Sequence, residues 1–325
     1  MFYKRGVNLT AIKAMIRLEA LIPDYLDGLR CDRVAVKMFS DFSRSRLQNW
    51  INDGSLLVDG CQLRPKDPVF SGSNMSLCAE LEEQERWEPE NIPIERIYED
   101  DQLVVIDKPA GLVVHPGAGN PNGTLLNALL HHVPEVSLVP RAGIVHRIDK
   151  DTSGLLVVAK TVEAQTSLVK QLQSRTVKRE YEAVTQGLMT AGGTVDEPIG
   201  RHTGNRLKMA VTTSGKPAVT HFRVIEKFAL NTHIRVQLET GRTHQIRVHM
   251  AHRRFPLVGD TLYSGRTSVP KGVPTELRYY LRDFPRQALH AAKLELNHPG
   301  SGELMHWESP LSDDIKTLLS MLKAG

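Results

Sequence analysis

The chain has 325 residues, of which 41% are hydrophobic and 24% charged, with a formal net charge of +4 at pH 7, so we expect one large core and a smaller module. Its longest apolar runs, such as residues 154–159, fall far short of the roughly 20 residues that a membrane-spanning helix needs, which argues against a membrane protein. Cys31, Cys61 and Cys78 are far apart and odd in number, so they indicate neither a disulfide framework nor a cysteine zinc site and fit a reducing cytoplasm.

The N-terminal part of the chain predicts a compact module. Residues 11–22 are apolar but interrupted by charges, which favours an amphipathic helix over a signal peptide. Helical patterns follow through residues 34–38 and through Trp50, with Gly54 suited to end the second helix. Residues 55–58 then predict a strand, and Asp59-Gly60 is typical of a hairpin turn.

The charge is unevenly distributed. Residues 80–101 carry ten acidic residues against only Arg86 and Arg96, a local charge of −8, so the rest of the chain carries +12. A basic balance of this kind attracts phosphate backbones, although a solvated mixed-charge surface explains it equally well. With Pro89 and Pro93, the acidic run indicates a linker.

Beyond residue 94 short strand-like runs outnumber helical ones. The helical patterns are clearest at residues 124–132 and 163–172. This alternation predicts a mixed sheet flanked by a few helices rather than a regular βαβ array. The strand-like runs are residues 103–106, 155–159, 181–185, 220–225, 233–238 and 246–249.

Residues 141–154 form a polar run directly before an apolar strand, and such a loop can present side chains from a rigid support. Asp149 has Arg147 and Lys150 as neighbours, and these cations favour a carboxylate that acts as nucleophile or base. A structural salt bridge is an equally good interpretation. Asp149 and Asp151 also suggest a glycosidase-like pair, but nothing apolar nearby would prepare one of them as a general acid.

A second polar run, residues 239–249, begins at a turn and continues in a pattern that alternates like a strand. On a strand Arg242 could pair with a distant carboxylate, or it could be an ordinary surface arginine. His244, His249 and His252 suggest a zinc site, but without an HExxH motif, a nearby cysteine or a close acidic ligand we expect no metal. Phosphate-cradling glycine motifs and the serine hydrolase elbow are also absent.

Four motifs resemble those of the RluA-type pseudouridine synthases: DKPAGLVVHP at 107–116, HRIDKDTSG at 146–154, KREY at 178–181 and TGRTHQIR at 240–247. The resemblance implies an α+β catalytic domain over residues 96–325, with a mixed, mainly antiparallel central sheet and flanking helices. It also implies an isomerase that needs neither cofactor nor metal and converts uridine in RNA to pseudouridine.

The same resemblance implies roles for four residues. Asp149 would be the catalytic carboxylate, acting either by adding to C1′ of the ribose or by abstracting a ribose proton. Tyr181 would lie against the uracil, and Arg242 would pair with Asp149. Arg147 would help to push the target base out of the RNA helix.

Residues 28–82 resemble a small S4-like α/β RNA-binding domain through RCD at 30–32, SRSR at 43–46 and INDG at 51–54. Arg44 and Arg46 would contact phosphates there. Residues 1–27 are then an extension, and residues 83–95 an acidic linker.

HPGAGNP at 115–121 is similar to a branch of the family that acts on a stem-loop of 23S-type ribosomal RNA, free or in the large subunit. We therefore expect a cytoplasmic rRNA-modifying enzyme, monomeric by default. Two alternatives remain open. One is a non-catalytic RNA-binding ribosome-assembly factor with the same fold, and the other is an RNA N-glycosidase using Asp149 and Asp151.

Overall fold

The computed structural model describes residues 15–39, 42, 44–80, 87–117, 119–265 and 273–324. The chain divides into two compact units, residues 1–86 and residues 87–325. In the described ranges no helix is long and apolar enough to cross a membrane.

The first unit packs two helices against a three-stranded antiparallel sheet with the order β1-β3-β2. Its core contains buried side chains from both helices and from β2 and β3, among them Val34, Leu47, Leu56 and Met75. Its elements are β1 (Met15–Leu21), α1 (Cys31–Met38), α2 (Arg44–Asp53), β2 (Leu56–Val58) and β3 (Asn74–Glu80).

The prediction of a helix over residues 11–22 is wrong for its described part, because Met15–Leu21 is strand β1. Every residue of β1 pairs with β3, from Met15 opposite Glu80 to Leu21 opposite Asn74. Strand pairing therefore supplies the backbone hydrogen bonds that a helix would have made for itself. Residues 15–21 lie in the same sheet as the module, although the sequence placed them in a separate extension. Residues 11–14 lie outside the described ranges.

The other local predictions in this unit are confirmed. The two helices form as α1 and α2, and Gly54 follows α2 with φ +83°, a conformation that suits glycine. Asp59 and Gly60 both have positive φ, 49° and 73°, as the tightest hairpin turns require. The turn brings Cys61 back opposite Val58.

The second unit is built on a nine-stranded sheet with the order β4-β5-β6-β13-β7-β12-β11-β8, with β14 pairing with β13. Only β6 and β13 pair in parallel among its described strands. The predicted mixed, mainly antiparallel sheet with flanking helices is confirmed. The strands are β4 (Glu95–Glu99), β5 (Leu103–Lys108), β6 (Ser153–Ala159), β7 (Lys178–Gln186), β8 (Gly193–Asp196), β9 (Ile199–Arg201), β10 (Met209–Val211), β11 (Val219–Lys227), β12 (Asn231–Leu238), β13 (Leu289–Asn297) and β14 (Leu304–Glu308).

The flanking helices are α3 (Leu125–His132), α4 (Val162–Gln173), α5 (Gln245–His252), α6 (Thr275–Asp283) and α7 (Asp313–Ala324). A separate two-stranded sheet pairs β9 with β10. Helix α3 begins with a capping box in which the side chains of Thr124 and Asn127 satisfy backbone N–H groups of the first turn.

Part of the predicted acidic linker packs on the second unit. Trp87 and Ile94 lie against its main core. The Asn127 side chain donates to the carbonyl of Glu88 at 2.9 Å, and the N–H of Glu90 donates to the carbonyl of Asn127 at 3.0 Å. Residues 81–86 of the acidic run lie outside the described ranges.

Strand β13 brings the polar loop before β6 close to β7. Ala291 of β13 pairs with Gly154 on one side and with Tyr181 on the other. A Cβ at Gly154 would lie 2.3 Å from the Ala291 carbonyl oxygen, so only glycine allows this close approach. The sheet order therefore places the loop that carries Asp149 across a single strand from Tyr181.

Candidate active site

Backbone hydrogen bonds fix the loop that carries Asp149. The N–H of Thr152 donates to the carbonyl of Asp149 at 3.1 Å, which closes a tight turn. The carbonyl of Lys150 accepts from the N–H of Gly111 at 2.9 Å, and the Arg286 guanidinium donates to the carbonyl of Asp151 at 3.0 Å. The loop is therefore held at successive residues beyond Asp149.

Lys108 is a buried ammonium group that ties this loop to the preceding one. Its side chain is fully enclosed, and Nζ donates to the carbonyls of Pro109, Leu112 and Lys150 at 2.7, 3.0 and 2.9 Å. Burial lowers the pKa of Lys108 to about 7, although Asp151 opposes the shift. Lys108 belongs to the DKPAGLVVHP motif, and its role was not predicted from the sequence.

Arg247 bridges Asp149 to a second carboxylate. Its Nη1 lies 3.1 Å from Asp149 Oδ2, while Nε and Nη2 bind the two oxygens of Asp260 at 2.8 and 2.9 Å. Burial opposes the charge on Arg247, but Asp260 and Asp149 outweigh it and raise the pKa of the guanidinium further above its ordinary value. Asp260 thus fixes Arg247, and Arg247 fixes the Asp149 carboxylate.

The predicted pairing of Arg242 with Asp149 is wrong. Arg242 Nε instead donates to the carbonyl of Pro217 at 3.0 Å. The physical reason is that residues 245–252 form helix α5, so the strand predicted for residues 246–249 is also wrong. The helix carries Arg247 to the carboxylate and leaves Arg242 on the turn before it.

A glutamine fixes the start of α5. Gln245 Oε1 accepts from the Thr240 hydroxyl at 2.8 Å and from the N–H of Arg242 at 2.9 Å. His244, the residue before the helix, has φ +57°, which is uncommon outside glycine. Its Nδ1 lies 2.8 Å from Tyr263 Oη, and the Arg247 guanidinium lies 5.0 Å from the Tyr263 ring centre. Neither Tyr263 nor Asp260 was identified from the sequence.

Of the three histidines considered for zinc, His249 has both ring nitrogens engaged by the protein. Nδ1 lies 2.8 Å from the Thr220 hydroxyl, and Nε2 lies 3.0 Å from the Glu197 carbonyl. Burial lowers the pKa of His249 below its ordinary value.

Tyr181 and Asp149 line one cleft, which we call the Asp149 cleft. Its ring is buried, and burial raises the pKa of the phenol above its ordinary value, so the hydroxyl stays protonated at neutral pH. Among the described residues, Asp151 does not line this cleft. The lining comprises Arg147, Ile148, Asp149, Thr152, Arg179, Tyr181, Leu238, Gly241, Arg242, Thr243, His244, Gln245, Ile246, Arg247 and Leu289.

A basic groove adjoins the Asp149 cleft, and we call it the arginine groove. Arg147, Arg179 and Arg242 line both. Arg147 is exposed near Asp149, as the sequence predicted. Arg147 and Arg242 both lie at the rim between the Asp149 cleft and the arginine groove. Arg141, Arg175 and Arg179 were missed, although the clustering of basic residues at 175–179 was a usable signal. The five arginines of the groove are Arg141, Arg147, Arg175, Arg179 and Arg242.

In the first unit, Arg44 and Arg46 lie at the start of α2 as predicted. Arg44 binds the buried carboxylate of Asp32 at 2.8 Å, yet its side chain remains 55% exposed. The Arg46 guanidinium lies 5.6 Å from the Trp50 ring centre. The two arginines therefore place basic side chains at the N-terminal end of α2.

Comparison with known proteins agrees with this geometry. Residues 102–252 match a family model described as RNA pseudouridylate synthase. Ribosomal large subunit pseudouridine synthase D of Pseudomonas aeruginosa is 58% identical over 309 residues, covering 95% of this chain and 97% of that protein. The protein of the same name from Shigella flexneri is 55% identical over 311 residues, covering 95% of each.

A solved structure gives the same result. Human RNA Pseudouridylate Synthase Domain Containing 4 superposes with a TM-score of 0.55 at 25% identity, covering 70% of this chain and 93% of the human chain. With relatives more than half identical along nearly the full length, the chain belongs to the RluA-type family of RNA pseudouridine synthases.

Proposed function

We propose that this protein converts specific uridines of large-subunit ribosomal RNA to pseudouridine in the cytoplasm, with Asp149 as the catalytic carboxylate. The observation that carries the proposal is the single cleft that Asp149, held by Arg247, lines together with Tyr181, next to the arginine groove. The large-subunit substrate is supported by the names of the relatives, which are similar to this protein along almost the whole chain.

The reaction detaches uracil from C1′ of the ribose, rotates it and rejoins it through C5, so the base is neither oxidised nor lost. A carboxylate at C1′ or at a neighbouring ribose proton can perform the first step, and both routes remain open here. The Arg247 guanidinium stabilises the negative charge that either route requires of Asp149, and Asp260 keeps that guanidinium in place.

The remaining residues would present the substrate. Tyr181 offers a buried ring against which the uracil can lie. Arg147, exposed at the rim of the Asp149 cleft, would fill the space that the extruded base leaves in the RNA and so offset an unstacking cost of a few kcal/mol. Arg242, at the rim shared by the cleft and the groove, would bind RNA rather than orient Asp149.

We further propose that the first unit is an S4-like RNA-binding domain whose Arg44 and Arg46 bind phosphates. Asp32 holds Arg44 at the start of α2, so its exposed guanidinium is already oriented. RNA binding that depends on these and the groove arginines should weaken steeply as salt rises.

The test is to map pseudouridine by carbodiimide-dependent reverse-transcription stops on 23S-type RNA and on assembled large subunits, without added cofactor or metal. We expect stops at discrete uridines with the wild type and none with Asp149→Asn. If neither substrate shows stops with the wild type, the activity is refuted and a non-catalytic RNA-binding role takes its place.

A further inference from the structure

Arg179 is a buried arginine that has no carboxylate partner among the described residues. Its side chain lies on the same face of β7 as Tyr181, and only 8% of its surface is exposed. Within the described ranges its guanidinium makes neither an ion pair nor a hydrogen bond, and Nε is fully enclosed.

In the part of the chain that the structure describes, the other two buried arginines are both paired. Arg247 binds Asp149 and Asp260, and Arg286 binds both oxygens of Asp314 at 2.6 and 2.8 Å. An unpaired charge in a buried place loses hydration without recovering that free energy from a partner. Arg179 therefore destabilises the free protein relative to an apolar side chain of the same size, which points to an anion supplied from outside.

The surroundings of Arg179 leave space for such an anion. The side chain lines both the Asp149 cleft and the arginine groove, so it lies where the two meet. A Cβ at Gly241 would be 2.7 Å from Arg179 Nη1, so any larger residue at this position would push the guanidinium aside. Glycine at position 241 therefore leaves room for the Arg179 guanidinium where the Asp149 cleft and the arginine groove meet.

We propose that Arg179 binds a phosphodiester group immediately beside the target uridine. This inference rests on the proposed function, which supplies RNA as the occupant of the cleft. Residues two apart on a strand are separated by roughly 7 Å, so a base held against Tyr181 places its own backbone within reach of the Arg179 side chain. A planar guanidinium can bind two phosphate oxygens at once, which fits a linkage that must be held while the base rotates.

The first test compares Arg179→Met with Arg282→Met, a control that removes an exposed arginine which pairs with its neighbour Asp283 and lies over the Tyr279 ring. Binding to a 23S-type stem-loop is measured in an Asp149→Asn background, so the RNA is not modified. We expect Arg179→Met to weaken binding about tenfold and to reduce the slope of log Kd against log salt by about 0.7 to 0.9, as for one lost phosphate contact. The control should change neither. An unchanged slope in Arg179→Met would overturn the proposal.

The second test identifies the phosphate. A neutral methylphosphonate replaces the linkage on the 5′ or the 3′ side of the target uridine. At one of these two linkages, the neutral group should weaken RNA binding by the protein that carries Arg179. The same neutral group should not weaken RNA binding by Arg179→Met any further. Equal losses in both proteins at both linkages would contradict the inference. Because these experiments measure binding, wild-type turnover on the same RNA separately shows whether the proposed function itself fails.

Thermal unfolding distinguishes a ligand-binding role from a structural one. Because the buried charge is unpaired, Arg179→Met should melt at the wild-type temperature or higher. A melting temperature lower by more than about 3 °C, equivalent to roughly 1 kcal/mol in a domain of this size, would show that Arg179 supports the fold and would overturn the proposal.

Discussion

At the scale of single residues, the arginines near Asp149 differ in what they can do. Arg247 is buried and contacts two carboxylates, whereas Arg242 contacts a backbone carbonyl at the rim. Position in the motif did not separate them, because both belong to the same polar run, TGRTHQIR at residues 240–247. Only the helical path of α5 decides which guanidinium reaches Asp149.

Arg247→Gln should therefore lower the single-turnover rate at saturating enzyme by at least about 100-fold, since it removes the group that holds the reacting carboxylate. It should also destabilise the protein by about 3 kcal/mol, because Asp260 is left buried and unpaired. Arg242→Gln, the matched control, should weaken RNA binding and change the rate less than about threefold. A larger rate loss in the Arg242 variant would contradict the assignment.

Tyr181→Phe keeps the aromatic ring and removes the hydroxyl, so it separates the roles of the two groups. Because burial raises the pKa of the phenol, the hydroxyl can supply a proton or hold one but is not a base at neutral pH. We expect the variant to bind RNA within about twofold of wild type and to turn over about 100-fold or more slowly, in the range of lost acid–base catalysis. Turnover equal to wild type would leave the ring with a stacking role only.

At the scale of elements, hydrogen bonds from neighbouring segments fix the position of the loop before β6, which carries Asp149. Local patterns predicted five of the eleven strands described in the second unit, among them β5 and β6 with their continuous apolar and β-branched runs, and two of its five described helices, α3 and α4. Helix α5 was missed because residues 245–250 are all buried, so no polar face reveals the helical period. Strand β1 was missed because its partner β3 lies more than fifty residues away.

Lys108→Met tests whether the buried ammonium positions this loop. Losing three hydrogen bonds to loop carbonyls should slow single turnover about tenfold while leaving RNA affinity unchanged. A variant with wild-type turnover would exclude a positioning role.

The same variant makes a pH prediction. The pKa of Lys108 is about 7 in the folded protein and about 10.4 when unfolded, so unfolding takes up a proton between these values. Wild type should therefore gain stability relative to Lys108→Met as pH rises from 7 towards 10, by up to about 1.4 kcal/mol per pH unit. Urea unfolding of both proteins at pH 7 and pH 9 measures this difference, and a difference that does not grow would refute the shifted pKa.

In the first unit, Asp32 links α1 to the start of α2. Burial alone would raise its pKa, but hydrogen bonds from Arg44, Arg30 and Gln48 outweigh it and hold the pKa well below the usual range. A lowered folded pKa stabilises the protein above the unfolded value near 4, and this contribution is lost as pH falls below it.

Asp32→Asn should thus destabilise the protein by about 2 kcal/mol at pH 7. That difference from wild type should shrink as pH falls below about 4. Chemical unfolding of the full chain with Trp87 and Trp307 replaced by Phe, followed by the fluorescence of Trp50, reports on this unit. A difference independent of pH would mean that the carboxylate charge does not stabilise it.

At the scale of the whole molecule, the resemblance of four motifs in the order of this family correctly implied an α+β enzyme of the family. The sequence also placed Asp149 and Tyr181 on segments that the structure brings together. It could not predict the order of strands in the sheet, where β13 separates β6 from β7 although it lies about 110 residues beyond β7. The surroundings of Arg247, Asp260 and Arg179 are made by segments that are distant in the sequence. Local sequence patterns could not predict these contacts.

The most direct test of a carboxylate-driven isomerisation at Asp149 uses RNA labelled with tritium at C5 of uridine. Joining C5 to C1′ expels the C5 proton, so wild type should release tritium to water while forming no free uracil. Asp149→Asn should bind the same RNA and release none. Tritium release by the Asn variant at the wild-type rate, or free uracil made by the wild type, would contradict the account.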